Sequence, residues 1–196
     1  MPVTLESLFE SGEWTTPPVA ARLSDGVLRV TAAPESDAWR HTGYGFVHDT
    51  EHALLEPFGA EGSVEVSFRL DYAEQFDQAG VFIAASETEW IKAGVEISDG
   101  APQAGAVVTH GFSDWSVAPV PEWAGRLITV RASRAGDGIA IRAKADDEPF
   151  RLLRLAYFSP DVDLRVGLFC CAPMRADLTV EFSRYERGEK DAALHD

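Results

Sequence analysis

Hydrophobic and polar residues alternate with a period of two over residues 77–116. This period is typical of β-strands, because successive side chains of a strand point to opposite faces of its sheet. The stretch therefore predicts three consecutive antiparallel strands with one face toward the core. The predicted core-facing residues are Val81, Ile83, Ala85, Ile91, Ala93, Val95, Ile97, Ala106 and Val108.

The opposite face of these strands mixes polar, aromatic and glycine residues, which makes it the candidate functional surface. Its members are Gln78, Gly80, Phe82, Trp90, Lys92, Gly94, Glu96, Gly105, Val107 and Thr109. A half-polar face is common in antiparallel sheets, where it meets solvent. A polar, glycine-bearing face in a chain that otherwise alternates cleanly is what suggests a binding surface.

The register of the first hairpin follows from parity. A slip of one residue would turn the apolar side chains outward, so residues of equal parity must pair. A connection at residues 86–88 places Gly80 opposite Gly94. The other predicted pairs are Gln78 with Glu96 and Phe82 with Lys92. Glycine inside a strand marks a bulge or a place where a ligand or another backbone comes close, and both interpretations stay open.

The second hairpin carries the turn signal Ser98-Asp99-Gly100-Ala101-Pro102. Keeping Val95 and Val108 both inward fixes a register across this turn. The predicted neighbours are Lys92 with Thr109 and Glu96 with Gly105.

Short alternating segments continue along the chain, and no long helical periodicity occurs. Further strands are predicted at residues 19–23, 27–31, 62–71, 126–133, 138–144, 150–158, 163–171 and 178–185. Residues 34–62 are interpreted as loops and edge strands, because glycine and proline interrupt their apolar pieces. Many short strands without a long helix predict an all-β sandwich of two antiparallel sheets, with a closed barrel as the alternative.

Length and composition predict one domain. The chain has 196 residues, of which 45% are hydrophobic. We expect the domain to span residues 1–187 and residues 188–196 to form a charged, frayed tail. The net charge of −15 argues against nucleic-acid and anionic-membrane partners, because both need a basic surface.

The first residues carry neither a basic start nor a continuous apolar run, so we expect no secretory signal or membrane anchor. The cysteines Cys170 and Cys171 are adjacent on a predicted strand, where their side chains point to opposite faces. A disulfide between them is not expected. These features favour a cytoplasmic location.

Four phrases of the sequence carry a resemblance: SDAWRHTGYGF, DQAGVFI, EWIKAGVEISDG and SDWSV. Through them the chain resembles the family of proteins related to the yeast regulator of enolase, which is grouped with the concanavalin A-like lectin and glucanase folds. The resemblance implies a concanavalin A-like jelly-roll sandwich with one concave sheet. The family's polar and aromatic positions match Asp37, Trp39, Tyr44, Asp77, Gln78, Trp90, Lys92, Glu96, Ser113, Asp114 and Trp115.

Aromatic rings on the mixed face suit stacking on a sugar ring, and a few polar groups suit directional hydrogen bonds. The predicted ligand-binding residues are Tyr44, Asp77, Gln78, Trp90, Lys92, Glu96, Asp114 and Trp115. The predicted stacking surfaces also include Trp39 and Phe82. The alternative is structural: Trp39 and Trp115 are packing residues, and Lys92 pairs with Glu96 or Asp114.

Catalytic and metal chemistry have weaker support. A glycosidase needs a pair of carboxyl groups about 5 to 9.5 Å apart, and no strand carries a cluster of acids. Lys92 and Glu96 lie about 13 Å apart along their strand. His48 and His52 have the spacing of metal ligands on a helix, but they lie among turns, so we interpret them as a solvated loop. His110 is expected to end a strand near the site.

No phosphate-binding glycine loop and no serine or cysteine nucleophile motif is present, so no cofactor is predicted. The favoured hypothesis is a non-catalytic, lectin-like module that holds a carbohydrate or another small polar ligand on its concave sheet. The alternatives are a protein-interaction or regulatory subunit of a metabolic enzyme, and a glycan-active hydrolase.

Overall fold

Two seven-stranded antiparallel sheets build the fold. The structure is a computed structural model that describes residues 3–70 and 73–195. Asp71, the predicted last residue of strand 62–71, lies outside the described residues. The strands are β1 (Glu13–Trp14), β2 (Ala20–Ser24), β3 (Val27–Thr31), β4 (Ala38–Arg40), β5 (Val47–Asp49), β6 (His52–Phe58), β7 (Gly62–Leu70), β8 (Gln78–Ser86), β9 (Glu89–Ser98), β10 (Ala101–His110), β11 (Phe112–Pro119), β12 (Ile128–Ala135), β13 (Gly138–Ala145), β14 (Arg151–Tyr157), β15 (Leu164–Cys171) and β16 (Thr179–Gly188).

The two sheets divide the strands evenly. One sheet has the order β1-β6-β15-β8-β9-β10-β11 and is called the site sheet here. The other, the back sheet, has the order β14-β13-β12-β7-β16-β3-β2. The strands β4 and β5 form a separate small hairpin, the cover hairpin. The prediction of a two-sheet sandwich is confirmed.

The main core lies between the two sheets, and it contains the predicted apolar face. Val81, Ile91 and Val108 are buried in it with their neighbours on β8, β9 and β10. Cys170 belongs to this core, whereas Cys171 belongs to a second cluster on the outer face of the site sheet. Both cysteines are free, so the prediction of opposite-facing thiols without a disulfide is confirmed.

The second cluster packs between the site sheet and the cover hairpin. Trp39 from β4 lies over Phe82, Trp90 and Phe169 of the sheet. The rings of Phe82 and Trp90 stack with their centroids 5.5 Å apart. Part of the predicted functional face is therefore an apolar core of its own.

The predicted register of the first hairpin is confirmed, with Gly80 opposite Gly94. The predicted register of the second hairpin is wrong by two positions, since Lys92 pairs with Val107 rather than Thr109. The cause is a tighter turn. Asp99 and Gly100 both have positive φ, 53° and 78°, as a two-residue type I′ turn requires, and β10 starts at once and includes the proline of the turn signal.

Three elements differ from the sequence interpretation. Residues 34–62, predicted to be loops and edge strands, contain β6, which lies inside the site sheet between β1 and β15. A fourth strand, β11, follows the central three after a turn at Gly111. A short helix, α1 (Leu5–Ser11), begins at a capping box on Thr4 and buries Leu5 and Leu8.

The C-terminal segment makes specific contacts. Strand β16 continues to Gly188. The Asp191 carboxylate accepts a hydrogen bond from Arg131 at 2.8 Å and forms a second ion pair with Arg142. The backbone N–H of Asp191 donates to Ser133 Oγ at 2.8 Å. These contacts tie residues 188–191 to β12 and β13.

The paired glycines of the site sheet mark a close approach of two backbones. A Cβ atom on Gly80 would lie 2.0 Å from the carbonyl oxygen of Ala93, and one on Gly94 would lie 2.0 Å from that of Ala79. The bulge of this hairpin lies elsewhere, between Ala84 and Ser86. Close backbone contact is therefore the reason for glycine here.

We expect Gly80→Ala to lower the free energy of unfolding by about 2 kcal/mol or more, because the strands must separate to admit the methyl group. The matched control is Gly138→Ala, also in a strand, where the nearest atom would be 3.5 Å away. The control should stay within about 0.5 kcal/mol of the parent. Urea unfolding measures both, and equal stabilities of the two variants would contradict the explanation.

Candidate functional site

A hollow of about 590 Å³ opens above the site sheet beside the cover hairpin. This size lies within the range of about 300 to 1,000 Å³ that is common for small-molecule sites. We call it the site hollow. Its lining residues are Glu35, Asp37, Trp39, Tyr44, Phe46, His48, Phe76, Gln78, Lys92, Glu96, Val107, Trp115, Pro173 and Met174.

Aromatic rings from distant parts of the sequence make one wall of the site hollow. Trp39 contacts Tyr44 and Trp115 edge to face, with centroid distances of 5.6 and 6.4 Å. Tyr44 stacks on Phe46 at 5.3 Å. The indole N–H of Trp39 donates to the carbonyl oxygen of Thr42 at 3.0 Å, which fixes the ring in the wall.

The floor of the site hollow is polar and holds a buried ion pair. Lys92 Nζ donates to Asp37 Oδ1 at 2.7 Å, and the two side chains are 6% and 20% exposed. Gln78 also contacts Asp37 Oδ1, at 3.4 Å, and donates to the carbonyl oxygen of Phe76 at 3.0 Å. Thr50 holds the backbone of Asp37 in place: its N–H donates to the carbonyl oxygen of Asp37 at 2.9 Å, and its Oγ1 accepts from the N–H of Asp37 at 3.1 Å.

The charge on Lys92 is stabilised despite its burial. Burial lowers the pKa of Lys92, but Asp37 together with Cys171 and Glu96 raises it, so that the net pKa lies above its ordinary value. The ammonium group therefore remains charged at neutral pH. Its strongest bond is already made to Asp37.

Glu96 is the least satisfied polar group of the floor. Its Oε1 atom is buried and has no hydrogen-bond partner within the described part of the chain. Burial raises the pKa of Glu96, and nearby Asp37 adds to the rise, while Lys92 and a hydrogen bond from the Trp115 side chain oppose it, so that the net pKa is about 7. Near neutral pH the carboxyl group can therefore both donate and accept a hydrogen bond.

Below the site hollow, the bare backbone of two glycines leaves a small pit. It has a volume of about 20 Å³, and Gly94, Gly105, Lys92, Glu96 and Trp115 are among its lining residues. A space of this size admits about one water molecule or one hydroxyl group. The pit lies next to the carboxyl group that has an unused acceptor.

Five of the predicted ligand-binding residues line the site hollow: Tyr44, Gln78, Lys92, Glu96 and Trp115. They come from β8, β9, β11 and the loop of the cover hairpin. The long-range pairing of these elements therefore brings together residues that are up to 71 positions apart in the chain.

The other three predicted residues lie elsewhere. Trp90 is 4% exposed and packs beneath the cover hairpin. The Asp77 side chain is fully buried and forms an ion pair with Arg175 at 2.9 Å. Asp114 faces Arg154 at 3.3 Å, outside the site hollow. Phe82, predicted to be a stacking surface, is 2% exposed.

The partner of Lys92 also differs from the structural alternative. Asp37 makes the pair, not Glu96 or Asp114. Asp37 is among the positions that match the family, but it is not in the predicted ligand-binding set. Phe46, Phe76 and Met174 were missed altogether, since they lie in loops without periodic pattern.

The histidines have separate environments. His52 is buried in β6, where its Nε2 accepts from the N–H of Ala33 at 2.9 Å and its Nδ1–H donates to the carbonyl oxygen of Thr16 at 3.0 Å. Burial lowers its pKa. The interpretation of His52 as part of a solvated loop is therefore wrong. His48 packs on Phe46 at 4.6 Å and lines the site hollow.

His110 ends β10, as expected, but contacts Tyr157 and Phe158 and is outside the lining of the site hollow. Over residues 3–70 and 73–195, no three or more His, Cys, Asp or Glu side chains are grouped so that they could hold a metal ion.

A family model described as "Protein of unknown function (DUF1349)" matches residues 14–190. The chain belongs to the DUF1349 family. The chain is similar over nearly its whole length to Regulation of enolase protein 1 of Saccharomyces cerevisiae, with 33% identity over 189 residues. The alignment covers 96% of this chain and 95% of the relative. The resemblance drawn from the sequence phrases is thus confirmed.

Solved structures show the same fold. A functionally unknown protein from Saccharomyces cerevisiae has a TM-score of 0.87 at 31% identity. The match covers 93% of this chain and 98% of the yeast chain. The lectin I-B4 of Griffonia simplicifolia has a TM-score of 0.55 at 13% identity, with 97% of this chain and 100% of the lectin covered. The concanavalin A-like jelly-roll prediction is therefore confirmed.

The fold also occurs inside larger enzymes. A xylan β-1,4-xylosidase of Bacillus halodurans has a TM-score of 0.68 at 12% identity, over 85% of this DUF1349 chain and 33% of the enzyme. At this identity only the fold is shared. Within the described residues, no helix has the length and apolar character that crossing a bilayer requires.

The raised pKa of Glu96 predicts a pH-dependent stability. Between pH 4.5 and about 7 the folded protein keeps the proton of Glu96, whereas the unfolded chain loses it, so the free energy of unfolding falls as pH rises. Glu96→Gln should remove this part of the fall and be more stable than the parent at pH 8 by about 1 to 3 kcal/mol.

Urea unfolding between pH 4.5 and 8 measures the effect. The exposed Glu87→Gln serves as a control with the same charge change. Glu51 is a second buried carboxyl group, and burial raises its pKa to about 7. The change of the parent's free energy of unfolding with pH therefore includes contributions from both Glu51 and Glu96. An unchanged slope in Glu96→Gln would contradict the assignment.

The buried ion pair predicts a coupled pair of substitutions. Lys92→Met leaves the Asp37 carboxylate without its main partner, and we expect a loss of about 3 kcal/mol in the free energy of unfolding. Adding Asp37→Asn should restore part of that loss, because the unpaired charge is removed. Additive losses in the double variant would show that the two groups do not interact.

Proposed function

We propose that this DUF1349 protein binds a neutral carbohydrate or similar polyol in the site hollow, without catalysis. The observation that carries the proposal is the buried, unpartnered Oε1 of Glu96 at the floor of an aromatic hollow. An unsatisfied buried acceptor costs about 1 to 3 kcal/mol. A ligand hydroxyl that donates to Glu96 would recover this cost.

The mixture of floor groups favours a polyhydroxylated ligand. Lys92 and Asp37 already neutralise each other at 2.7 Å, so no free cation is left among the lining residues to select an anion. Gln78 and Glu96 add groups that donate and accept. A sugar presents both donors and acceptors, and its apolar ring face suits Tyr44 and Trp115.

The predicted ligand-binding set is therefore revised in this proposal. Tyr44, Gln78, Lys92, Glu96 and Trp115 keep the role. Asp37 and Trp39 join them because they line the same hollow. Trp90, Asp77 and Asp114 are left out of this hollow.

The experiment is a glycan array followed by titration calorimetry with the sugars that bind. We expect Glu96→Ala to weaken binding by about tenfold or more, since a hydrogen bond to a carboxyl group contributes about 1.5 to 3 kcal/mol. The control is Glu87→Ala, at an exposed position in the turn between β8 and β9, which should bind as the parent does. If the protein binds none of the sugars on the array, the proposal is overturned.

A second candidate function is a protein contact, supported by the name of the yeast relative, Regulation of enolase protein 1. Apolar side chains are exposed along β14, where Leu152, Leu155 and Tyr157 are 47%, 52% and 62% exposed. Arg154 on the same strand bonds to Ser116 of β11. Exposed apolar residues on one strand are typical of a binding surface.

Purified enolase from the host of this protein tests this candidate in a sedimentation experiment with the parent and with Leu155→Asp. A contact through β14 should be lost in Leu155→Asp and kept in Glu96→Ala. Equal sedimentation of all three proteins with and without enolase would contradict it.

Hydrolysis of glycans has less support. The hollow contains the carboxyl groups of Glu35, Asp37 and Glu96, and one of them, Asp37, already accepts a hydrogen bond from Lys92 at 2.7 Å. Incubation of the protein with the bound sugar, followed by product analysis, separates binding from hydrolysis. We also propose a cytoplasmic location, which is supported by the two buried free cysteines.

A further inference from the structure

A second hollow of about 620 Å³ opens beside the site hollow. We call it the outer hollow. Its lining residues are Trp39, Thr42, Gly43, Tyr44, Ser113, Asp114 and Trp115. Three of these, Trp39, Tyr44 and Trp115, line the site hollow too. The two hollows therefore meet at a shared group of aromatic rings, called the aromatic rim here.

The aromatic rim is accessible and firmly held. Tyr44 is 59% exposed and Trp115 is 37% exposed, whereas Trp39 behind them is only 8% exposed. The edge-to-face contacts of Trp39 with both rings fix their positions. An exposed pair of rings on a rigid support is the arrangement that stacks on sugar rings at low entropic cost.

The two hollows differ in depth. The site sheet forms the floor of the site hollow, where Lys92 and Glu96 are among the lining residues. A chain-like ligand cannot continue through the sheet, so a unit seated on this floor would be a terminal unit. The outer hollow is the more open of the two, so the rest of the ligand can leave through it.

The outer hollow also offers polar groups. Asp114 is largely exposed, and its carboxylate has one ion-pair partner, Arg154, at 3.3 Å. The residue Thr42 on the cover hairpin is exposed as well. Both can bond to hydroxyl groups of a ligand unit above the aromatic rim. The carboxylate and the net charge of −15 disfavour an acidic glycan.

We propose that the ligand is a neutral linear oligosaccharide of at least two units, with its terminal unit in the site hollow and its second unit in the outer hollow. The aromatic rim stacks on the ligand where the two units join. This inference rests on the proposed function, since it names the class of carbohydrate that the same site takes.

Titration calorimetry tests it with pairs of monosaccharide and disaccharide: xylose with xylobiose, and glucose with cellobiose and maltose. We expect at least one disaccharide to bind about tenfold or more tightly than its monosaccharide, because contacts in a second subsite add to those of the first. Equal affinities within every pair would overturn the inference and leave the proposed function standing. No binding of any of these five sugars would also overturn the inference, and the proposed function falls with it only if the glycan array shows no binding to any sugar.

Variants of the outer hollow sharpen the test. Asp114→Phe fills the outer hollow from an exposed position and should abolish the gain of the disaccharide while the monosaccharide binds as before. Asp114→Asn keeps the size of the side chain and should keep most of the gain. Met174 lines the site hollow only, so Met174→Ala should weaken the binding of both sugars by the same factor.

The ratio of disaccharide to monosaccharide affinity in each variant decides between these outcomes. A disaccharide gain that survives in Asp114→Phe would place the second unit elsewhere and overturn the inference. Circular dichroism and urea unfolding of each variant establish that it is folded, since Asp114 and Met174 are both exposed and their substitution should not affect folding.

Discussion

The ion pair between Lys92 and Asp37 is the contact on which the architecture of the site depends. It joins the middle of the site sheet to the segment that leads into the cover hairpin, across 55 positions of sequence. A second tie, from the N–H of Arg40 to Ser113 Oγ at 2.9 Å, holds the far end of β4. Buried ion pairs add little net stability, and here the pair fixes the position of a hairpin.

Once the cover hairpin is fixed, it divides the outer face of the site sheet into two environments. Beneath it, Trp39 closes an apolar cluster over Phe82 and Trp90. Beside it, the same ring forms the wall of the site hollow and one side of the aromatic rim. The floor there holds a charged pair and a carboxyl group whose pKa is raised by burial. The fold tolerates this unfavourable burial beside a large apolar core, as binding sites commonly require.

The division between predicted and missed site residues has a physical explanation. Trp90, Lys92 and Glu96 alternate along one strand, so the sequence assigned all three to one face, and the structure confirms that they share it. Which of them is covered depends on a hairpin that lies far away in the sequence. The burial of Asp77 was equally hidden, because its partner Arg175 follows it by 98 positions.

The sequence by itself determined the local features: the strand periodicity, the two faces of each strand, the opposed cysteines and the register of the first hairpin. These follow from the two-residue repeat of a strand, which any short segment displays. Tertiary structure decided the pairing of β6 inside the site sheet, the partner of Lys92 and the position of the cover hairpin. Those depend on contacts between distant segments, and no local repeat encodes them.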